Sequence, residues 1–168
     1  NDVSAAQIVW VHGGGILVCL LTSFIVQMIL FWKKKITWPW AITLFWLAFW
    51  TFLNSTGYLI ISGLVPFGDV EELISLGVFT IYFSLFSGFF LFALGFVGLS
   101  WILRKVLMEV YSPKKASLGV SLFWFIIPIL VAVIIISPKR NLGWSYFPFS
   151  FIPALLSIAL EYFLFLSK

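Results

Sequence analysis

The sequence predicts an all-α protein, a polytopic transmembrane helix bundle, and three observations lead to that class. Hydrophobic residues make up 62% of the chain and charged residues 10%, with a mean hydropathy of +1.14, whereas soluble domains carry about 25% charged residues. Too few polar side chains exist to clothe a soluble core of this size, so the bilayer is the solvent for most of the surface. The apolar residues run in long stretches without period-two alternation, which argues helices over a barrel. Six of the nine tryptophans (Trp10, Trp32, Trp38, Trp40, Trp101 and Trp144) fall at or near the ends of those stretches. There an amphipathic indole prefers the headgroup region.

About five spans account for the chain. The first runs from Ile8 to Trp32 and stops at Lys33-Lys34-Lys35. It has no basic stretch before it and is long for a signal peptide, so it reads as a retained span. The second runs from Ile36 to Val65 and is stopped by Pro66, which cannot continue a helix. The third covers Leu73 to Leu103 and ends at Arg104-Lys105; the fourth runs from Leu118 to Ile136 and ends at Ser137-Pro138. The fifth starts near Phe147 and reaches Leu166. Each is long enough to cross roughly 30 Å of hydrocarbon at about 1.5 Å per residue. The second and third exceed that need, which implies tilt or helix emerging from the bilayer.

Basic residues set the orientation. With the N-terminus outside, the inner side receives Lys33, Lys34, Lys35, Arg104, Lys105, Lys114, Lys115 and Lys168, and the outer side only Lys139 and Arg140. That bias predicts N-out, C-in. No linker long enough to divide domains is visible, so residues 1–168 read as a single transmembrane helical domain. The repeated Ser112-Pro113-Lys114-Lys115 and Ser137-Pro138-Lys139-Arg140 are read as helix ends with headgroup anchors, not as a domain repeat.

The same composition removes several function classes. The net charge of +4 comes mostly from clusters at span ends, which suits topology and lipid phosphates and not nucleic acid. One cysteine, Cys19, excludes an intrachain disulfide, and one histidine, His12, leaves little for haem or Cys/His zinc ligation. His12 precedes Gly13-Gly14-Gly15 near a membrane face and reads as an interfacial residue. Glu161 sits close enough to the inner interface to snorkel, and no spacing gives it relay partners. Phosphate loops, dinucleotide fingerprints and Ser/His/Asp sets are missing from the sequence. Thr22, Ser23 and Gln27 are expected to serve interhelical hydrogen bonds. Ser84, Gly88, Gly95 and Gly98 form a small-residue face suited to close packing.

The most informative stretch runs from Asn54 to Glu72. It places Asn54 past the middle of the second span, Gly57 and Gly63 on the same helix, Pro66 at its end, and Gly68-Asp69 just beyond. The Asn54 amide must find a partner inside the bundle. Asp69, Glu71 and Glu72 are half of the six acidic residues. The plain reading is an outer turn of solvated acids, with Asp69 as N-cap of the third helix and Glu72 at N3 in a capping box.

The pattern Asn54, Gly57, Tyr58, Ser62, Gly63, Phe67, Gly68, Asp69, preceded by Gly13-Gly14-Gly15, resembles a segment of membrane-embedded zinc metalloproteases of the site-2 protease-like type. The likeness covers roughly Val9 to Gly77. It implies a zinc-ligand role for Asp69 as the distal carboxylate, beside two histidines and a glutamate supplied by an H-E-x-x-H helix. That motif is absent here: His12 is followed by Gly13 and no second histidine exists. The chain opens Asn1-Asp2-Val3 without Met. This leaves room for a catalytic helix upstream in a longer precursor.

The sequence therefore leans away from an enzyme, holding no complete catalytic or metal-binding set and requiring no cofactor. The leading expectation is a non-catalytic multi-pass membrane protein, an accessory or scaffold subunit of a larger membrane complex. Its expected partners are the lipid bilayer and other transmembrane subunits. The prokaryotic plasma membrane is the default location, given short loops and no targeting signal. One alternative is the C-terminal part of an intramembrane zinc metalloprotease, with zinc entering only there. A further alternative is a small membrane transporter component, for which only one broken helix, around Asn54–Gly57, speaks. In every case Asn54, Gly57, Pro66 and Gly68 are expected to organise structure.

Overall fold

A computed structural model describes residues 5–32, 36–64, 68–131, 155–160 and 162–163. All regular structure among them is helical. Five helices follow in order: α1 (Ala5–Trp32), α2 (Trp38–Leu64), α3 (Gly68–Ser75), α4 (Ile81–Leu107) and α5 (Pro113–Val131). Residues 155–160 add a further helical stretch. Three of these helices are long and apolar enough to cross a membrane: α1 from Ala6 to Trp32, α2, and α4. The described part of the expected fourth span is α5. Most of the expected fifth lies outside the described residues, as does Pro66.

The third span differs from expectation. Leu73 to Leu103 is not one helix but the end of α3, a turn, and α4. The break has a local chemical cause. The Val78 N–H donates to Leu73 O and the Gly77 N–H to Ile74 O, at 2.9 Å each, while Gly77 takes φ +71°. This crossed pair of bonds with a left-handed glycine is a Schellman stop, which ends α3. Three residues later the Phe83 N–H donates to Thr80 Oγ1 at 3.1 Å, so Thr80 caps the new helix α4. Continuous apolarity conceals both devices, because neither requires a charged residue.

Ser112-Pro113 also differs from expectation. The pair opens α5 instead of closing a helix, with Ser112 O accepting from the Ala116 N–H at 2.9 Å and Pro113 in the first turn. Proline suits that position because its missing N–H would have had no helical partner. The fourth helix of the expected series thus begins five residues before Leu118.

The chain forms two compact units, residues 1–102 and 103–168. In the first, α2 is the central element. Its buried face carries Phe45, Ala48, Phe52, Ser55, Leu59 and Ser62, spaced by three and four residues as a helix face requires. Ala48 O accepts from Ser23 Oγ of α1 at 2.8 Å, and Gln27 Nε2 donates to Ser23 Oγ at 3.1 Å. On the α4 side, Ser84 Oγ donates to Leu59 O at 2.8 Å. Buried Ser55 and Thr56 turn back onto their own helix and bond Phe52 O. Hydroxyls inside the apolar bundle are thereby satisfied without water.

The approach of α4 to α2 depends on glycine. A Cβ on Gly88 would stand 3.0 Å from Leu59 Cβ and 3.1 Å from the Ile60 nitrogen, and one on Gly95 would collide with the Phe52 ring. Across the interface, a Cβ on Gly63 would meet Leu85 Cγ at 2.6 Å. Gly98 serves the α1 side, its Cβ position lying 2.7 Å from Gln27 Oε1. Lipid tails are as apolar as leucine, so helices gain little from hydrophobicity and associate through such close contact.

In the second unit, the last turn of α4, the turn at 108–111 and α5 pack through a stripe of Ala116, Val120, Trp124 and Ile127, all buried. Gly119 lies against Leu107, and Arg104 Nε donates to Ser117 Oγ at 3.4 Å. Among the described residues, Trp124 is the one tryptophan nearly removed from the surface. The other described tryptophans, including Trp10, Trp32, Trp38, Trp40 and Trp101, are exposed, as side chains facing lipid and headgroups should be.

Overpacking typically costs about 1–3 kcal/mol, so Gly88→Leu should destabilise the protein by roughly that much. Gly14→Ala should instead be neutral or stabilising by up to about 1 kcal/mol, because nothing lies within 4 Å of its Cβ position and alanine favours helix. Unfolding titrations in mixed detergent micelles, followed by far-ultraviolet circular dichroism, would measure both.

Candidate functional site

Half of the acidic residues lie at one end of the first unit, where α1 begins, α2 ends and α3 crosses. α3 is short and two-faced. Val70 and Leu73 are buried, three residues apart, while Glu71 and Glu72 are exposed. Its first turn holds Asp69 and Glu71, whose charges complement the positive end of the helix dipole. Gly68, with φ +58°, starts the helix over Tyr58, and a Cβ there would meet the phenolic oxygen at 3.0 Å. A side chain at this position would suffer both the steric contact and the left-handed backbone.

Asp69 sits inside α3 instead of just ahead of the third span, and its carboxylate is engaged across the bundle. His12 Nδ1 of α1 stands 2.7 Å from Asp69 Oδ1, across 57 residues of chain. A carboxylate accepts, so Nδ1 carries the proton of this bond. The side chains are 28% and 46% exposed, which places the pair at an accessible edge and not in the core. Leu73, one turn on, reaches within 3.9 Å of the Gly13 Cβ position. Two contacts of different kinds, one polar and one apolar, therefore hold α3 on the first turns of α1. A Cβ at Gly13 would meet Leu73 in ordinary van der Waals contact, so the approach does not require glycine, and nothing in the structure explains Gly13, Gly14 or Gly15.

The sequence alone pairs Asp69 with backbone N–H groups as an N-cap and makes His12 an interfacial residue, so neither is expected to meet the other. The missing signal was topological. Two consecutive spans return the chain to its starting side, so the beginning of α1 and the residues after α2 share one end of the bundle. The only histidine and the acidic turn therefore lie at the same end of the bundle, within reach of each other.

The pair's chemistry is that of a hydrogen-bonded tether. Two ligands around one tetrahedral zinc, each about 2.1 Å from it, would stand roughly 3.4 Å apart, so 2.7 Å is hydrogen-bond and not coordination spacing. Among the described residues, no three His, Cys, Asp or Glu side chains group closely enough to hold a metal.

The remaining expected positions lie apart from this pair. Asn54 Nδ2 points to Cys19 Sγ of α1 at 3.5 Å, a weak bond because a thiol is a poor acceptor. Gly57 has nothing within 4 Å of its Cβ position. A cleft of about 380 Å³ at the far end of α1 and α4 is lined by Gln27, Met28, Phe31, Val97, Gly98 and Trp101 among others, and is almost wholly apolar.

A partly exposed hydrogen bond between side chains at such a site contributes about 0.2–1 kcal/mol. A double-mutant cycle of His12→Gln and Asp69→Asn should return a coupling in that range. The same variants should raise deuterium exchange at the amides of α3 while leaving α2 unchanged. Comparison with known proteins adds no relative: no family model, curated protein or solved structure matches this chain.

Proposed function

We propose that this chain is a non-catalytic multi-pass membrane protein that serves as an accessory or scaffold subunit of a larger membrane complex. The supporting observation is the use made of its polar groups. Ser23, Gln27 and Ser84 bond other helices or one another, and Ser55 and Thr56 bond their own helix. His12 and Asp69 bond each other to position α3. The Ser23, Ser84 and His12–Asp69 bonds join one helix to another, and the others satisfy their polar groups within a single helix. In this reading the chain has about five spans, is oriented N-out and C-in, and lies in a prokaryotic plasma membrane. The His12–Asp69 pair then faces outward, and other transmembrane subunits meet it chiefly within the bilayer.

The second reading, the C-terminal part of an intramembrane zinc metalloprotease, draws on one observation. The Asp69 carboxylate is half exposed and held in a set orientation by His12, as a ligand completed by residues from elsewhere would need to be. Sequencing upstream of Asn1 separates the readings, since only an in-frame H-E-x-x-H sustains the protease.

Purification in mild detergent should yield a membrane protein in stoichiometric amount with this chain. A stable, independently active chain without such a companion would overturn the accessory reading. Elemental analysis of the same preparation should find no zinc; zinc present in the native protein and lost in Asp69→Asn would favour the protease.

A further inference from the structure

An exposed face of α2, bordering its contact with α1, has its own regularity. Thr43, Leu47, Trp50, Asn54, Gly57 and Ile61 follow one another at intervals of four, three, four, three and four residues. All are exposed except Gly57, which is half-buried. Alternating threes and fours make a straight seam along a helix, the spacing through which two helices pack at a shallow left-handed crossing. The buried face of α2, with Ala48, Phe52 and Leu59, is already taken by α1 and α4.

We propose that this seam pairs two copies of the chain, α2 against α2, with Asn54 of each copy bonded to Asn54 of the other. The proposal goes beyond the accessory-subunit reading and stands independently of it. Asn54 lies three residues past the middle of a 27-residue helix, about 4.5 Å from its centre, well inside the hydrocarbon. Its one bond among the described residues is to the Cys19 thiol at 3.5 Å, which engages a single N–H. The amide carbonyl and the second N–H face an environment in which lipid offers neither donor nor acceptor.

A second copy fits better than another occupant because the amide is self-complementary. Each side chain supplies both donor and acceptor, so a two-fold axis near Asn54 satisfies both copies at once. No charged residue lies on the seam, so no oppositely charged partner is called for. Gly57, with nothing within 4 Å of its Cβ position, allows the backbones to approach one turn from the amide. A single asparagine among apolar seam positions is also the device by which paired helices fix register and copy number.

The test is energy transfer between separately labelled donor and acceptor chains, co-reconstituted in phosphatidylcholine–phosphatidylglycerol vesicles and diluted stepwise with lipid. The native chain should retain transfer above random proximity. Asn54→Leu should weaken association by roughly tenfold, two membrane hydrogen bonds being lost. Gly57→Leu should weaken it as well, with unchanged helicity and thermal midpoint, since its side chain enters open space within one copy. Phe90→Leu, on an exposed part of α4, should associate like the native chain. Random-level transfer in the native chain, or native-like association of both seam variants, would overturn the proposal. A native chain that shows only random transfer yet co-purifies with a different membrane protein removes self-pairing and leaves the accessory reading standing.

Discussion

The rest of the first unit depends on the close approach of α4 to α2. Inside hydrocarbon, burying leucine against leucine gains little over leaving it in lipid, so the stabilisation must come from contact distance and interhelical bonds. Gly88 and Gly95 on α4 and Gly63 on α2 remove the side chains that would hold the backbones apart. Ser84 then reaches the carbonyl of Leu59. The bond and the glycine contacts reinforce each other, because a separation of even one methyl group would lose the hydroxyl bond too. Ser23 makes the corresponding link on the α1 side by bonding Ala48 O, and Gln27 in turn donates to Ser23 within α1.

From this framework the His12–Asp69 pair follows as a consequence of where helices end. α2 must stop near Leu64, and the chain returns to α4 by way of a short amphipathic helix lying at the bundle's edge. A helix of eight residues is too short to persist by itself. It is held by Val70 and Leu73 beneath, by the Schellman turn at Gly77 behind, and by His12 at its start. Of the three acids that looked most like a chemical site, Asp69 helps to hold this end of the protein together, while Glu71 and Glu72 stay exposed on the outer side of α3.

Much of the fold was legible because the bilayer imposes long apolar segments with tryptophan and lysine at their ends. The membrane class and the α4 packing face at Ser84, Gly88 and Gly95 could be read from residue type and spacing alone. What could not be read were features set by backbone geometry. The Gly77 stop and the Thr80 cap lie in a stretch whose hydropathy never falls far enough to announce a break. Ser112-Pro113 signals a helix boundary, but its side of the boundary depends on which neighbour takes the carbonyl of Ser112. The pairing of His12 with Asp69 spans 57 residues and becomes visible only once the spans are folded back on one another. The Asn54 amide was expected to bond within the bundle, yet the thiol it reaches offers little; residue type alone could not reveal that poor match.

The central claim, that α2 and α4 touch backbone to backbone at Leu59 and Gly88, is tested most directly by disulfide formation between them. In a Cys19→Ser background, the pair Leu59→Cys and Gly88→Cys would place its Cβ atoms about as close as the 3.0 Å found between Leu59 Cβ and the Gly88 Cβ position. That is about 0.5 Å short of the roughly 3.5–4.5 Å that a disulfide spans, so a small outward shift of the helices would seat the bond. Mild oxidation in bilayers should cross-link this pair rapidly within one chain, and the pair Ile61→Cys and Gly88→Cys, with Ile61 on the opposite, exposed face, should remain reduced. Equal rates for the two pairs, or no cross-link in either, would contradict the account.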